Sequence, residues 1–216
     1  MTELSADDVA RFLRENPGFF EDHAELLSAI TVPSPLGGRA IPLSDRQMLG
    51  LRDKNRALEG KLSELIQFGE ENDVISEKVH RLSVAMLATR TLDTQLHETY
   101  YNLREDFQVP HVAIRVWRGA GSRAEFDAVS DELKAFAADL EQPFCGPNDN
   151  FEAVNWFGEG ASAVRSVALV PLRELDQTFG LLALGSEDLL RFYPDMGTLY
   201  LNRIGELVSA GLLRFL

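Results

Sequence analysis

Cys145 is the only cysteine among 216 residues, and it stands in Pro143-Phe-Cys-Gly146 at the head of an aromatic stretch that runs on through Phe151, Trp156 and Phe157. A thiolate can serve as nucleophile, metal ligand or redox group, but each use needs help. The helper is a base or cation that lowers the thiol pKa, a second cysteine to complete a disulfide, or further donors around a metal. No histidine lies within thirty residues of Cys145, and with one cysteine neither an internal disulfide nor a cysteine-built zinc site can form. His23, His80, His97 and His111 are scattered, without the His-Glu-x-x-His spacing of a zinc helix. No Gly-x-Ser-x-Gly elbow is present, and Gly37-Gly38 lacks the Gly-Lys-Ser/Thr that would make it a phosphate loop. The carboxylate pairs Asp7-Asp8 and Glu70-Glu71 fall on expected helices and read as solvated faces. The chain is therefore expected to be no enzyme and to hold no metal or cofactor, with Cys145 a buried thiol. Trp156 and Phe157 read as core residues, although aromatics in an irregular loop also suit a lid over an apolar ligand.

The element best marked in the sequence is helical. Leu51, Leu58, Leu65, Asn72, Val79 and Met86 recur every seven residues, and Phe68, Ile75 and Leu82 stand three residues after Leu65, Asn72 and Val79. This is the a/d ladder of a coiled coil, and a polar Asn72 at an a position would set register and favour two strands. A parallel homodimer through this helix is expected. Its first half is weaker: Lys54 and Lys61 take d positions, the apolar residue slips to Leu62, and Gly50, Gly60 and Gly69 lower helix propensity. Ser44-x-x-Gln47 reads as the capping box that opens the helix, which should run to about Ala88 with a break conceivable near Gly69.

Around this stalk the pattern predicts three segments. Residues 1–43 hold a short N-terminal helical pair and a linker. Ser5 with Asp8 caps the first helix, Asn16-Pro17 opens the second, and Thr31–Leu43, with three Pro and two Gly, is the linker. Residues 44–90 form the coiled-coil stalk. Residues 91–216 form a mixed domain: a helix capped by Thr91, a strand at Val112–Trp117, a short strand at Glu125–Val129 and a helix at Asp131–Leu140. An irregular loop at Gln142–Gly160, a hairpin of Ser166–Leu172 with Thr178–Ser186, and a last helix from Pro194 complete it.

A net charge of −13 and a pI near 4.7 argue against nucleic acid or an anionic membrane as partner. The local basic residues Arg46, Arg52, Lys54, Arg56 and Lys61 are offset by Asp45, Asp53 and Glu59. No apolar run approaches the ~20 residues of a membrane span and the N-terminus lacks a signal-like core, so a cytoplasmic protein is expected.

The order helix, strand, turn, strand, irregular loop, hairpin, helix resembles the GAF domain. The residues that carry the likeness are Ser166-Val-Ala-Leu-Val-Pro-Leu172, Phe179-Gly-Leu-Leu-Ala-Leu-Gly-Ser186 and Arg191-Phe-Tyr-Pro194. The whole chain is similar to the domain-of-unknown-function-484 family through Phe12-Leu-x-x-Asn16-Pro-x-Phe19-Phe20, Leu43-x-x-x-Gln47, Pro143-x-Cys145-Gly146 and Met196-Gly-Thr-Leu199. The resemblance implies an α+β fold, a GAF-like antiparallel sheet flanked by helices and preceded by the long coiled-coil helix and the N-terminal pair. It implies no activity. GAF domains bind small molecules or mediate dimerisation, and in such folds the loop at 142–160 walls the pocket. A ligand site is accordingly expected at Phe144, Cys145, Trp156 and Phe157, for a small apolar or aromatic molecule. The loop's own charges are Asp149, Glu152 and Glu159, and none is basic. The cyclic-nucleotide signature Asn-Lys-x-Phe-x-Asp-Glu is absent, a methionine-sulfoxide-reducing cycle needs more cysteines, and bilin attachment usually needs a neighbouring histidine.

Two functions compete. The first is a non-enzymatic sensory or regulatory module whose ligand alters the stalk of a dimer. The second is an interaction scaffold with a filled pocket and no ligand. Since the last helix is expected to run to Leu216, no output domain follows it in this sequence, and a signal is expected to leave through a partner protein.

Overall fold

The computed structural model describes residues 5–32 and 41–216. The linker glycines Gly37-Gly38 and the prolines Pro33 and Pro35 lie outside the described residues. The chain divides into two compact units, Met1–Gly69 and Glu70–Leu216, with the boundary inside one helix rather than after it.

In the first unit, α1 (Ala6–Glu15) opens with the expected capping box: Ser5 Oγ accepts from the Asp8 N–H and the Asp8 carboxylate accepts from the Ser5 N–H, both at 3.2 Å. The helical pair becomes three short helices, α2 being Phe19–Asp22 and α3 Ala24–Ala29. Asn16 closes α1 instead of opening the next helix, because its backbone N–H and its side-chain amide both donate to the Phe12 carbonyl at 2.9 Å. Phe12, Phe19 and Phe20 meet edge to face, with centroids 5.8 and 5.3 Å apart. None of the residues of α1 or α2 is buried. Thr31–Val32 (β1) and Ile41–Pro42 (β2) pair antiparallel over two residues.

The long helix α4 is Leu43–Ala88, continuous through Gly60 and Gly69. It starts one residue before the predicted cap at Ser44 and ends at the predicted residue. Among the described residues, the buried apolar side chains all lie at or after Leu82.

In the second unit, α5 (Leu92–Glu105) is capped by Thr91, whose hydroxyl accepts from the Thr94 N–H at 3.2 Å. The strands β3 (His111–Val116), β4 (Phe144–Pro147), β5 (Ser166–Glu174) and β6 (Gln177–Ser186) form one antiparallel sheet in the order β3-β6-β5-β4. The hairpin is as expected, with a bulge after Leu172. Leu175 turns it with a φ of +53°.

Three local expectations are corrected. Glu125–Val129 is no strand. Ala124–Phe126 is a 3-10 turn that brings the Glu125 carboxylate 3.0 Å from Tyr100 Oη, where it accepts that hydroxyl. The irregular loop contains the edge strand β4 and a kinked 3-10 segment, Glu152–Ala163, bent at Gly158. The last helix, α7, is Leu199–Leu213, five residues later than Pro194 suggested.

The sheet carries helices on both faces. On one face lie α5, α7 and the C-terminal turns of α4, where Leu82, Met86, Leu96, Leu103, Val208 and Leu212 pack with sheet residues. Close approach of α7 needs glycine at one point: a Cβ at Gly205 would stand 2.6 Å from Val170 Cγ1, on a stiff β-branched side chain. On the other face lie α6 (Asp131–Asp139) and the 3-10 segment, over Leu169, Leu181 and Ala183. Arg173 holds α6 in place by donating to the carbonyls of Ala137, Ala138 and Leu140, the orphan acceptors at its C-terminus.

This packing corrects the lower half of the coiled-coil ladder. Leu82 is 0% and Met86 4% exposed within their own chain, and Val79 packs against the same core. A side chain already covered by its own sheet and by α7 cannot also insert between two stalk helices. Ile75 is half-buried, while Leu51, Leu58, Leu65, Phe68 and Asn72 remain exposed.

Candidate functional site

The sheet divides the expected ligand site in two. Successive residues of a strand point to opposite faces, so Phe144 and Cys145, adjacent on β4, separate. Phe144 joins Trp156 and Phe157 over the α6 face, whereas Cys145 sits in the core shared with α5 and α7. Cys145 is 6% exposed, and burial pushes its thiol up to about 11. A thiol so placed is almost wholly protonated at neutral pH and is a packing residue.

The α6 face is occupied by side chains. Phe136, Phe144 and Phe151 form a ring triangle with centroids 5.0–6.2 Å apart. Phe157 lies 5.6 Å from the His111 ring and presses onto the sheet, where a Cβ at Gly185 would stand 2.8 Å from Phe157 Cε2. Arg115, from β3, stacks its guanidinium 5.1 Å from the Trp156 ring centroid and pairs with Asp127 at 3.7 Å. It is the basic group that reading the loop alone missed, because it reaches this face from another strand. The imidazole of His111 completes the layer, with Nε2 3.8 Å from the Glu187 carboxylate. Rings packed at these distances are a satellite core, held by aromatic contacts and a cation–π pair.

The opposite face holds a cleft of about 460 Å³. Ile75 and Lys78 wall it from α4, Leu103 from α5, Phe107 from the turn that follows α5, and Arg191 and Met196 from the segment that leads into α7. The volume is within the range of small-molecule sites. Lys78 Nζ stands 6.0 Å from the Phe107 ring centroid, and Arg191 Nη2 donates to the Phe107 carbonyl at 2.5 Å. Two cations thus gather around one residue of an otherwise apolar wall. Tyr200 closes one end: its hydroxyl donates to the Asn72 carbonyl at 3.0 Å and lies 2.9 Å from Ser76 Oγ. The sequence pattern marks none of these residues as a ligand contact: it puts Ile75 in the dimer seam and Arg191 only in the motif Arg191-Phe-Tyr-Pro194. The grouping arises from three chain segments, so no local spacing announces it.

Among the described residues no group of three or more His, Cys, Asp or Glu is placed to hold a metal, and no helix is long and apolar enough to cross a membrane.

Comparison with known proteins bears on fold and family. The GAF domain of A. aeolicus nlh2, solved in an inactive state, matches with a TM-score of 0.50 at 18% identity, over 66% of this chain and 98% of that one. At that identity the likeness is one of fold, and the fold is GAF-like. Over 225 aligned residues the chain is 26% identical to the uncharacterized protein YigA of Salmonella typhimurium, covering 100% of this chain and 94% of that protein. It is 27% identical to YigA of Escherichia coli over the same shares. Residues 1–216 match the model of a family described as protein of unknown function, DUF484, and the chain belongs to that family.

Proposed function

We propose that the protein is a non-enzymatic regulatory module that works by association, a GAF-like domain whose long helix pairs with a second copy and presents the assembly to a partner protein. The observation that carries this reading is the row of exposed apolar residues on α4: Leu51 at 66%, Leu58 at 57%, Leu65 at 66% and Phe68 at 56% exposure. Apolar rows of this kind on a helix mark interaction surfaces, and a/d spacing is what a two-stranded pair covers. The shortened seam runs from Leu51 to about Asn72, because the helix beyond it is engaged with its own domain. The aromatic filling of the α6 face favours this reading over a sensor that takes its ligand among Phe144, Trp156 and Phe157.

Sedimentation equilibrium tests it. The parent chain should sediment as a dimer, and Leu58→Asp with Leu65→Asp as a monomer with unchanged circular dichroism of the domain. A monomeric parent, or a dimer that survives both substitutions, would remove the basis for the proposal.

A further inference from the structure

We propose that the cleft between α4, α5 and α7 binds a small apolar or aromatic carboxylate, with its body among Leu103, Phe107 and Met196 and its carboxylate on Lys78 and Arg191. The cleft lies on the sheet face opposite the aromatic loop from which a ligand site was first expected, and all of its walls belong to one unit.

The chain as a whole is strongly acidic, at −13, yet Lys78 and Arg191 converge on Phe107, and among the described residues neither makes an ion pair. Both are half-buried. Two partly desolvated cations that line one cleft without a counter-ion carry a desolvation cost, and a bound anion relieves that cost while it gains charge-assisted hydrogen bonds. The one carboxylate of the wall, Asp188, accepts the Leu190 N–H at 2.9 Å and makes no ion pair with either cation. Arg191 spends one nitrogen on the Phe107 carbonyl, which orients the guanidinium and leaves its other donors for the ligand.

The walls suit an apolar body. Leu103, Leu184 and Ile204 form the base, and Phe107 and Phe192 offer rings. Flexible Met196 in the wall can adjust to the occupant. Ile75 and Lys78 place the helix that carries the exposed apolar row in direct contact with the ligand, so occupancy would be felt by α4.

The test uses 2-naphthoate as probe and uncharged 2-naphthamide as its counterpart, titrated into the whole ¹⁵N-labelled chain. Naphthoate should shift the amide signals of Lys78, Phe107 and Gly197, and bind about tenfold more tightly than the amide, the worth of one charge-assisted contact. Lys78→Gln with Arg191→Gln should weaken naphthoate about tenfold and leave naphthamide within about twofold, which separates lost charge from lost fold. Met196→Trp, which fills part of the cleft, should abolish both. The proposal is overturned if no signal in the cleft responds up to the solubility limit, if amide and acid bind alike, or if the shifts fall on Leu58 and Leu65. It is also overturned if Met196→Trp converts a dimer to a monomer, since a second copy would then be the occupant. Repeating the titration on the Leu58→Asp, Leu65→Asp chain tests the cleft independently of the association reading.

Discussion

Leu82 is where heptad and tertiary structure make opposite demands. By spacing it is a d residue of a dimer seam. By packing it is 0% exposed in the core of its own domain. Leu82→Ala removes three carbon atoms from a filled interior, and such truncations cost about 2–5 kcal/mol, the transfer of the lost groups plus the cavity left behind. Taking about 3 kcal/mol, and 2–4 °C per kcal/mol for a domain of this size, the melting temperature should fall by about 6–12 °C. Leu65→Ala, at a site 66% exposed in the single chain, should change the intrinsic stability of the domain by no more than about 0.5 kcal/mol. The two substitutions should also part in their dependence on concentration. A seam residue alters stability through mass action, so its effect fades as protein is diluted below the dissociation constant of the pair, whereas a core residue acts equally at every concentration. Thermal unfolding across a hundredfold range of protein concentration, with sedimentation of both variants, reads the difference. If Leu82→Ala shifted the melt by less than about 2 °C, or turned a dimeric parent into a monomer while the domain stayed intact, Leu82 would face a partner helix and not the core of its own domain.

Four further outcomes follow from the geometry. Cys145 should alkylate more slowly than glutathione at pH 7, because its folded-state pKa is about 11; a faster rate would mean that an activating partner reaches it. The same raised pKa sets a sign for stability: the contribution is full below the ordinary thiol pKa of about 8.5 and is lost as pH climbs from there through about 11. Cys145→Ala should therefore flatten that decline in denaturant titrations, leaving the share that belongs to Tyr100, whose pKa is raised by burial and then by Glu125. Arg173→Ala should cost about 1–3 kcal/mol by leaving the α6 carbonyls without a donor, and Arg173→Lys should recover only part; a loss below about 0.5 kcal/mol would show that water replaces the guanidinium. Leu175→Gly should raise stability by up to about 1 kcal/mol, since Leu175 is 92% exposed and holds a φ of +53°; a lower melting temperature would show that the turn depends on the leucine.

Local signals in the sequence determined a good deal. The capping box at Ser5 and Asp8, the cap at Thr91, the end of α4 at Ala88 and the β5–β6 hairpin were all legible. Each depends on residues a few positions apart and on a period of 3.6 or 2. The motifs Ser166–Leu172 and Phe179–Ser186 further pointed to the GAF-like sheet. What the sequence could not decide is which partner covers an apolar face. The same heptad row is exposed at Leu58 and Leu65 and buried at Leu82 and Met86, because periodicity shows that a face must be covered and is silent on whether a second helix or the chain's own sheet covers it. The expected four-residue site met a similar limit: Phe144 and Cys145 are neighbours in sequence, yet the pleat of β4 sends them to opposite cores. Lys78 and Arg191, more than a hundred residues apart in the chain, come to line one cleft beside Phe107 only once α4, α5 and the approach to α7 have packed on one face of the sheet. Long-range proximity of this kind belongs to the tertiary fold alone.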